Sequence, residues 1–123
     1  MMPLAGFREE WFNDFSQHVL ADLVRGVRDV PGLLVEIGSW EGRSTVAMAN
    51  AAFPRTIHAV DTWQGSPSEV SAQLAQRRDV FAQWSTNIEM LTRSNVVAHR
   101  MGWREFVPTV TTPTSRCVTT CWP

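Results

Sequence analysis

Apolar residues along the chain fall into two patterns. Between Phe7 and Val27, the residues Phe7, Trp11, Phe15, Val19 or Leu20, Leu23 and Val27 recur at three- and four-residue steps. Arg8, Glu9, Asn13, Gln17 and Asp22 take much of the opposite side. That period predicts an amphipathic helix, stopped by Gly26 and the Asp29-Val30-Pro31-Gly32 turn. His18 falls at a partly exposed polar position within it. The second pattern is the short continuous run. Leu33 to Ile37 is almost wholly apolar, as a parallel strand covered on both faces should be. Thr56-Ile57-His58-Ala59-Val60-Asp61 is another run of strand length, ending in an acid.

Between the two runs, Gly38 and Gly42 supply a turn that other residues resist. From about Glu41 the positions Val46, Ala47 and Ala51 suit a helix, stopped at Phe53-Pro54. Strand, helix and strand at this spacing make a right-handed, parallel βαβ unit. Thr62-Trp63-Gln64-Gly65 reads as a loop. Ser66, Pro67 and Glu69 then read as cap, first helical residue and capping-box partner of a helix running to about Thr92. Its positions Val70, Leu74, Phe81, Trp84, Ile88 and Leu91 share one face, with Arg77-Arg78-Asp79 as a solvated middle turn. Asn95 to Met101 reads as a third strand, and Gly102 to Val107 as a turn into a short helix. The Thr-, Pro- and Ser-rich stretch from Pro108 to Pro123 has neither period and reads as an irregular or disordered tail. The expected fold class is therefore α/β, with about three parallel strands and flanking helices in one domain over residues 1–107.

Composition narrows the function. A chain of 123 residues with 44% hydrophobic content supports one core, and a formal net charge of −1 gives no electrostatic case for nucleic acid or an anionic membrane. All 11 basic residues are arginines, scattered along the chain, and lysine and tyrosine are absent. Cys117 and Cys121, both near the end, have neither zinc spacing nor a neighbouring histidine. Met1 to Glu10 lacks the basic and apolar regions of a signal peptide, and no apolar run approaches the ~20 residues of a membrane span. A cytoplasmic protein without metal or membrane contact is expected.

The candidate chemistry lies at the strand ends, where open parallel sheets bind ligands. These ends carry Glu36 with the Gly38–Gly42 loop, Asp61 with Thr62 and Trp63, and Met101 with Gly102 and Trp103. Asp61 follows Glu36 by 25 positions, near the ~20-residue offset at which an acid meets ribose hydroxyls in dinucleotide folds. A carboxylate can accept from both vicinal hydroxyls. The loop itself discriminates among ligands. Ser39 and Trp40 follow Gly38, so the second glycine that admits a pyrophosphate is missing. The Gly-Lys-Ser/Thr of a P-loop is absent, and so is lysine altogether. An adenosine-containing ligand without phosphates fits better, with a small carboxylate at the helix N-terminus; S-adenosylmethionine is one.

The stretch Val35-Glu36-Ile37-Gly38-Ser39-Trp40-Glu41-Gly42-Arg43-Ser44-Thr45, followed by Ala59-Val60-Asp61-Thr62-Trp63-Gln64-Gly65, resembles the class I SAM-dependent methyltransferases. Within that family it is most similar to the branch with E-x-G-x-x-x-G-x-S and D-x-W-x-G motifs, which includes small-molecule and sugar O-methyltransferases. The likeness spans roughly Phe7 to Val107. It implies the N-terminal half of a Rossmann-like methyltransferase fold, S-adenosylmethionine as cofactor and a small-molecule methyl acceptor. Glu36 would then hold the ligand's ammonium side. Gly38, Ser39 and Gly42 would line its methionine moiety, with Trp40 beside them. Asp61 would bind the ribose, Thr62 and Trp63 would border the adenine, and Gly102 and Trp103 would stand at the third strand end.

The family sheet has seven strands against about three here, so the resemblance also implies a chain cut short after the third strand, without the acceptor half. Neither His58 nor His99 presents itself as the base that an O-methyl transfer needs. Two further readings stand beside this one. One is a non-catalytic interaction module that dimerises through its open sheet edge. The other is a fragment of an NAD-dependent oxidoreductase.

Overall fold

A computed structural model of the protein describes residues 3–110. Among these residues five helices and three strands alternate as α1 (Asp14–Val27), β1 (Leu34–Ile37), α2 (Arg43–Ala52), β2 (Ile57–Asp61), α3 (Val70–Arg77), α4 (Val80–Leu91), β3 (Val96–Arg100) and α5 (Trp103–Val110). The strands form one parallel sheet in the order β1-β2-β3, with Leu34 beside Ile57 and Ile57 beside Val96. The protein is therefore α/β, with a three-stranded parallel sheet. The expected irregular tail lies, from residue 111 on, outside the described residues, as do Cys117 and Cys121.

Strand alternation sends side chains to two faces. Leu34 and Ile57 join Met48, Ala49 and Ala52 of α2 and Leu20 and Val24 of α1 in one cluster. Ala59 joins Trp63, Val80, Trp84 and Ile88 in a second, on the same side. Val35 and Val60 point the other way, onto Phe106 of α5, with Leu33, Ile37 and Val110 around them. The helices between strands thus cover one face, and α5 lies on the other.

Several elements differ from the pattern-based expectation. The first helix begins at Asp14, not Phe7, because Asn13 caps it by accepting from the Ser16 N–H at 2.8 Å. The preceding segment crosses α4 instead, where Gln83 donates to the carbonyls of Leu4 and Gly6 and the Asn87 amide brackets Gly6 on both backbone groups. The buried side of α1 is Leu20 and Val24, while Phe15, Val19 and Leu23 face outward, Phe15 being 76% exposed.

The single helix expected from Ser66 to Thr92 is two. The Ser66 N–H donates to the Ser71 hydroxyl, so no capping box forms, and α3 starts only at Val70. Asp79 breaks the run and caps α4 by accepting from the Ala82 N–H at 2.9 Å. Arg78 is not a solvated turn residue; its guanidinium is drawn inward to Glu9 and Glu41. Finally, α5 continues through Pro108. Proline forfeits one helical hydrogen bond, but Val110 beyond it packs on the sheet beside Leu33 and Ile37.

The turn from α1 into β1 is organised by a distant residue. The Arg55 guanidinium donates to the carbonyls of Val27, Arg28, Val30 and Gly32. The last carbonyl of α1, that of its C-cap and two from the turn beyond find their donors in one side chain. That fixes where β1 begins, and so where its carboxyl end delivers the glycine loop.

Candidate functional site

A cleft of about 960 Å³ opens beyond the carboxyl ends of the strands. Its floor is Ile37 to Trp40, Val60 to Thr62 and Met101 to Trp103; its walls are the N-terminal segment and the Gly65–Ser71 turn. Small-molecule sites occupy this volume range, roughly 300–1,000 Å³, and this position in open sheets.

The loop between β1 and α2 is held from both sides. Gly38 and Gly42 both have positive φ, at 85° and 88°, the region that glycine enters freely. A Cβ on Gly42 would come within 2.9 Å of the Trp84 ring, so side-chain packing closes that position as well. Trp40 also has positive φ, 51°, which for a bulky residue persists only where its surroundings enforce it. The enforcement comes from Asp61. One carboxylate oxygen, Oδ2, accepts from the backbone N–H of Ser39 and of Trp40, both at 2.8 Å. The other, Oδ1, accepts from the Trp63 N–H at 2.8 Å.

Asp61 therefore staples the glycine loop to the end of β2. A carboxylate has about four acceptor positions, so roughly one remains toward the cleft that Asp61 lines. The structure brings Gly38, Ser39, Trp40, Asp61, Thr62, Gly102 and Trp103 together around this cleft. Gly42 stands behind them as the left-handed N-cap of α2, which starts with no side-chain cap. Its first N–H groups are a place for a ligand carboxylate.

Glu36 and Trp63 stand elsewhere. Glu36 is fully buried and accepts from the hydroxyls of Ser44 and Thr45 in the first turn of α2. Burial pushes its carboxyl above the usual range, the hydroxyls of Ser44, Thr45 and Ser39 pull it back, and the Asp61 charge adds a smaller upward push. The hydroxyl chain continues from Thr45 to Ser39, whose Oγ accepts from the Trp84 indole N–H at 2.6 Å. Glu36 thus ties strand, loop and helix together from beneath. Trp63 is 1% exposed; it packs on Phe81 and Trp84 with centroids 4.6 and 4.9 Å away, and donates its indole N–H to the Trp40 carbonyl. It supports the cleft floor and does not face the cleft.

Sequence patterns do not single out the other wall. Glu9, Trp11 and Phe12 line it because Gln83 and Asn87 of α4 strap the N-terminal segment down. Asn87, fully buried, also donates to the Glu41 carbonyl at 2.8 Å and so joins that segment to the glycine loop. The one available signal is a pair of amides spaced i, i+4 inside an otherwise apolar helix face. Such buried amides need partners outside their own helix.

His58 and His99 lie on the opposite face of the sheet from the helices between strands, with Nδ1 of His58 2.9 Å from Nε2 of His99. Burial lowers both pKa values, and for His58 the neighbouring His99 lowers it further. Among the described residues no group of three or more His, Cys, Asp or Glu is placed to hold a metal ion, and no helix is long and apolar enough to cross a membrane. Comparison of the chain with protein-family models, curated proteins and solved structures found no match.

Proposed function

We propose that the protein binds S-adenosylmethionine in the cleft at the carboxyl ends of its strands and serves methyl transfer to a small-molecule acceptor, on a Rossmann-like half-fold. The observation that carries this reading is the stapled loop. Asp61 consumes the Ser39 and Trp40 N–H groups, the donors that a dinucleotide's pyrophosphate would need from such a turn. What remains is an uncapped first turn of α2 for a carboxylate and about one acceptor position of Asp61 for a ribose hydroxyl. Thr62, Met101, Gly102 and Trp103 supply a border for an adenine.

The bound cofactor would supply an electrophilic methyl on a sulfonium. The chain's part is positioning, since methyl transfer depends on holding two reactants close and aligned. Glu36 acts from below, by fixing β1 to α2, and Trp63 by fixing the loop to α4. An NAD-linked reading lacks support at the same two N–H groups.

Calorimetry with S-adenosylhomocysteine tests the proposal: a saturating isotherm is expected. Asp61→Asn, which keeps one acceptor oxygen, should weaken it at least tenfold while the protein stays folded. A folded wild-type chain that binds neither S-adenosylmethionine nor S-adenosylhomocysteine overturns it, and stronger binding of NAD at the same site would replace it.

An interaction module is a second reading, favoured by the outward stripe of Phe15, Val19 and Leu23 on α1. Light scattering at rising concentration decides it. A monomer throughout removes it.

A further inference from the structure

Beneath the rim of the cleft lies a charged cluster that the reading above leaves unused. Glu9 comes from the N-terminal segment, Glu41 from the glycine loop, and Arg78 from the junction of α3 and α4. The Arg78 guanidinium bonds Oε1 of Glu9 and lies 3.8 Å from Oε1 of Glu41. The Arg8 backbone N–H donates to that same Glu41 oxygen at 2.8 Å. The second oxygen of each acid, Oε2 of Glu9 and Oε2 of Glu41, is buried with no hydrogen-bond partner. The Glu41 side chain is 2% exposed, and both residues line the cleft.

Buried acceptors in native proteins are nearly always satisfied. Arg78 Nε and Trp40 Nε1 are buried without a partner in the same cluster, so the orphaned oxygens mark a polar site left unmatched, and the charge balance decides what would complete it. Two carboxylates against one guanidinium leave one negative charge unbalanced at a site mostly removed from water, and that favours a cation. The adjoining wall agrees. Trp11 and Trp40 lie with ring centroids 5.4 Å apart, and both line the cleft. Aromatic faces here already draw cations: Arg78 stands 5.8 Å from the Trp40 ring and Arg43 stands 5.9 Å from Phe7.

We infer that Glu9 and Glu41 form a subsite for a protonated amine of the ligand in the cleft, its N–H donors going to Oε2 of each acid beside the Trp11–Trp40 pair. A hydroxyl would bring one donor and no charge; an ammonium brings up to three donors and the missing charge. This rests on the cleft being a small-molecule site. The amine belongs either to the cofactor or to the acceptor.

The apo state predicts a linked proton. Burial raises the Glu41 carboxyl, the Arg8 N–H opposes that, the charge and carboxyl of Glu9 raise it further, and Arg78 pulls it down. Glu41 so placed holds a proton more readily than a free carboxyl does. An ammonium bound beside Glu41 takes that proton's place, so binding releases a proton and strengthens as pH rises above the ordinary carboxylate range.

Calorimetry on the full chain distinguishes the sources with three probes. These are S-adenosylhomocysteine; 5′-methylthioadenosine, which keeps the nucleoside but has no amine; and benzylamine. The variants are Glu9→Gln and Glu41→Gln, with circular dichroism to check folding. Weakening of S-adenosylhomocysteine by tenfold or more in both variants, with methylthioadenosine unchanged, assigns the amine to the cofactor. Loss of benzylamine binding in both variants, with S-adenosylhomocysteine unchanged, assigns it to the acceptor. If S-adenosylhomocysteine never binds but benzylamine binding still needs both acids, the methyltransferase reading fails and the subsite stands. Proton release, measured on the wild type in two buffers of different ionisation enthalpy, does not depend on any variant folding. Amine binding that is undetectable, indifferent to both variants, or free of proton release overturns the inference.

Discussion

The two faces of the sheet are built by different means. On one, α1, α2 and α4 bury Leu34, Ile57 and Ala59 under two contiguous clusters, and those helices include the connection between β1 and β2. On the other, Val35 and Val60 are covered by Phe106 of α5, Val97 stays 43% exposed, and the His58–His99 pair takes the remaining space. The first face follows from chain connectivity, because a parallel crossover must put a helix there. The second depends on an eight-residue helix too short to be stable alone. The cleft borrows from both. Its loop belongs to the first face, and Gly102 and Trp103 lead into the helix of the second.

Breaking each face separately should show how unequal they are. Trp63→Ala removes a side chain packed between Phe81 and Trp84 and also frees the Trp40 carbonyl. The expected loss is about 3–5 kcal/mol, enough to unfold much of a domain of this size. A thermal melt shifted by only a few degrees would show that the second cluster is less continuous than its contacts indicate.

Phe106→Ala should cost somewhat less, about 3 kcal/mol, and its signature should differ in kind. Only α5 is expected to lose amide-exchange protection, with α1 to α4 and the sheet retaining theirs as a separate cooperative unit. Uniform loss across the chain would mean that the two faces fold as one.

The same asymmetry explains what could be read from the chain. The β1–α2–β2 unit was legible because a strand covered on both faces is almost wholly apolar, and Leu33 to Ile37 and Ile57 to Val60 satisfy that locally with one polar residue each, Glu36 and His58. The face of α1 was not legible. Two apolar stripes are interleaved on it, and period alone cannot choose between Leu20 with Val24 and Phe15 with Val19 and Leu23; the α2 surface makes the choice. The break at Asp79 was hidden for a similar reason. It reflects the pull of Glu9 and Glu41 on Arg78, and those acids are distant in sequence. Asp61 was legible as a key acid at a strand end, but its role as acceptor for the loop's own N–H groups depends on a backbone conformation that no composition rule supplies.

Acid should act on the second face first. Both imidazoles have pKa values lowered from 6.5, chiefly by burial. Below that value the unfolded chain takes up protons that the folded pair resists, so the unfolded state binds more protons and stability rises with pH. The contribution is complete above about pH 6.5 and is lost as pH falls through the lowered folded values. Glu36 and Glu41, raised by burial, have the opposite slope: their contribution is present below 4.5 and lost as pH rises through their folded values. The difference between wild type and His99→Gln isolates the histidines. Urea midpoints from pH 7 down to pH 5 should fall more steeply for the wild type, and parallel curves would remove the pair from the account.

The smallest effect is expected outside both faces. Phe15 is 76% exposed on the side of α1 turned away from α2, so Phe15→Ser removes little packing and should change stability by no more than about 0.5 kcal/mol. Replacing a large apolar side chain there also reduces the exposed stripe it forms with Val19 and Leu23. An exposed patch of that kind matters to association before it matters to folding. The informative measurement is therefore the dependence of the melting temperature on protein concentration. A monomeric chain melts at the same temperature at every concentration, and Phe15→Ser should leave that unchanged. Should the wild type melt higher as concentration rises, and Phe15→Ser abolish the rise, the stripe is an interface between copies. In that case α1 is packed from both sides, by the sheet-covering α2 on one and by a second copy on the other.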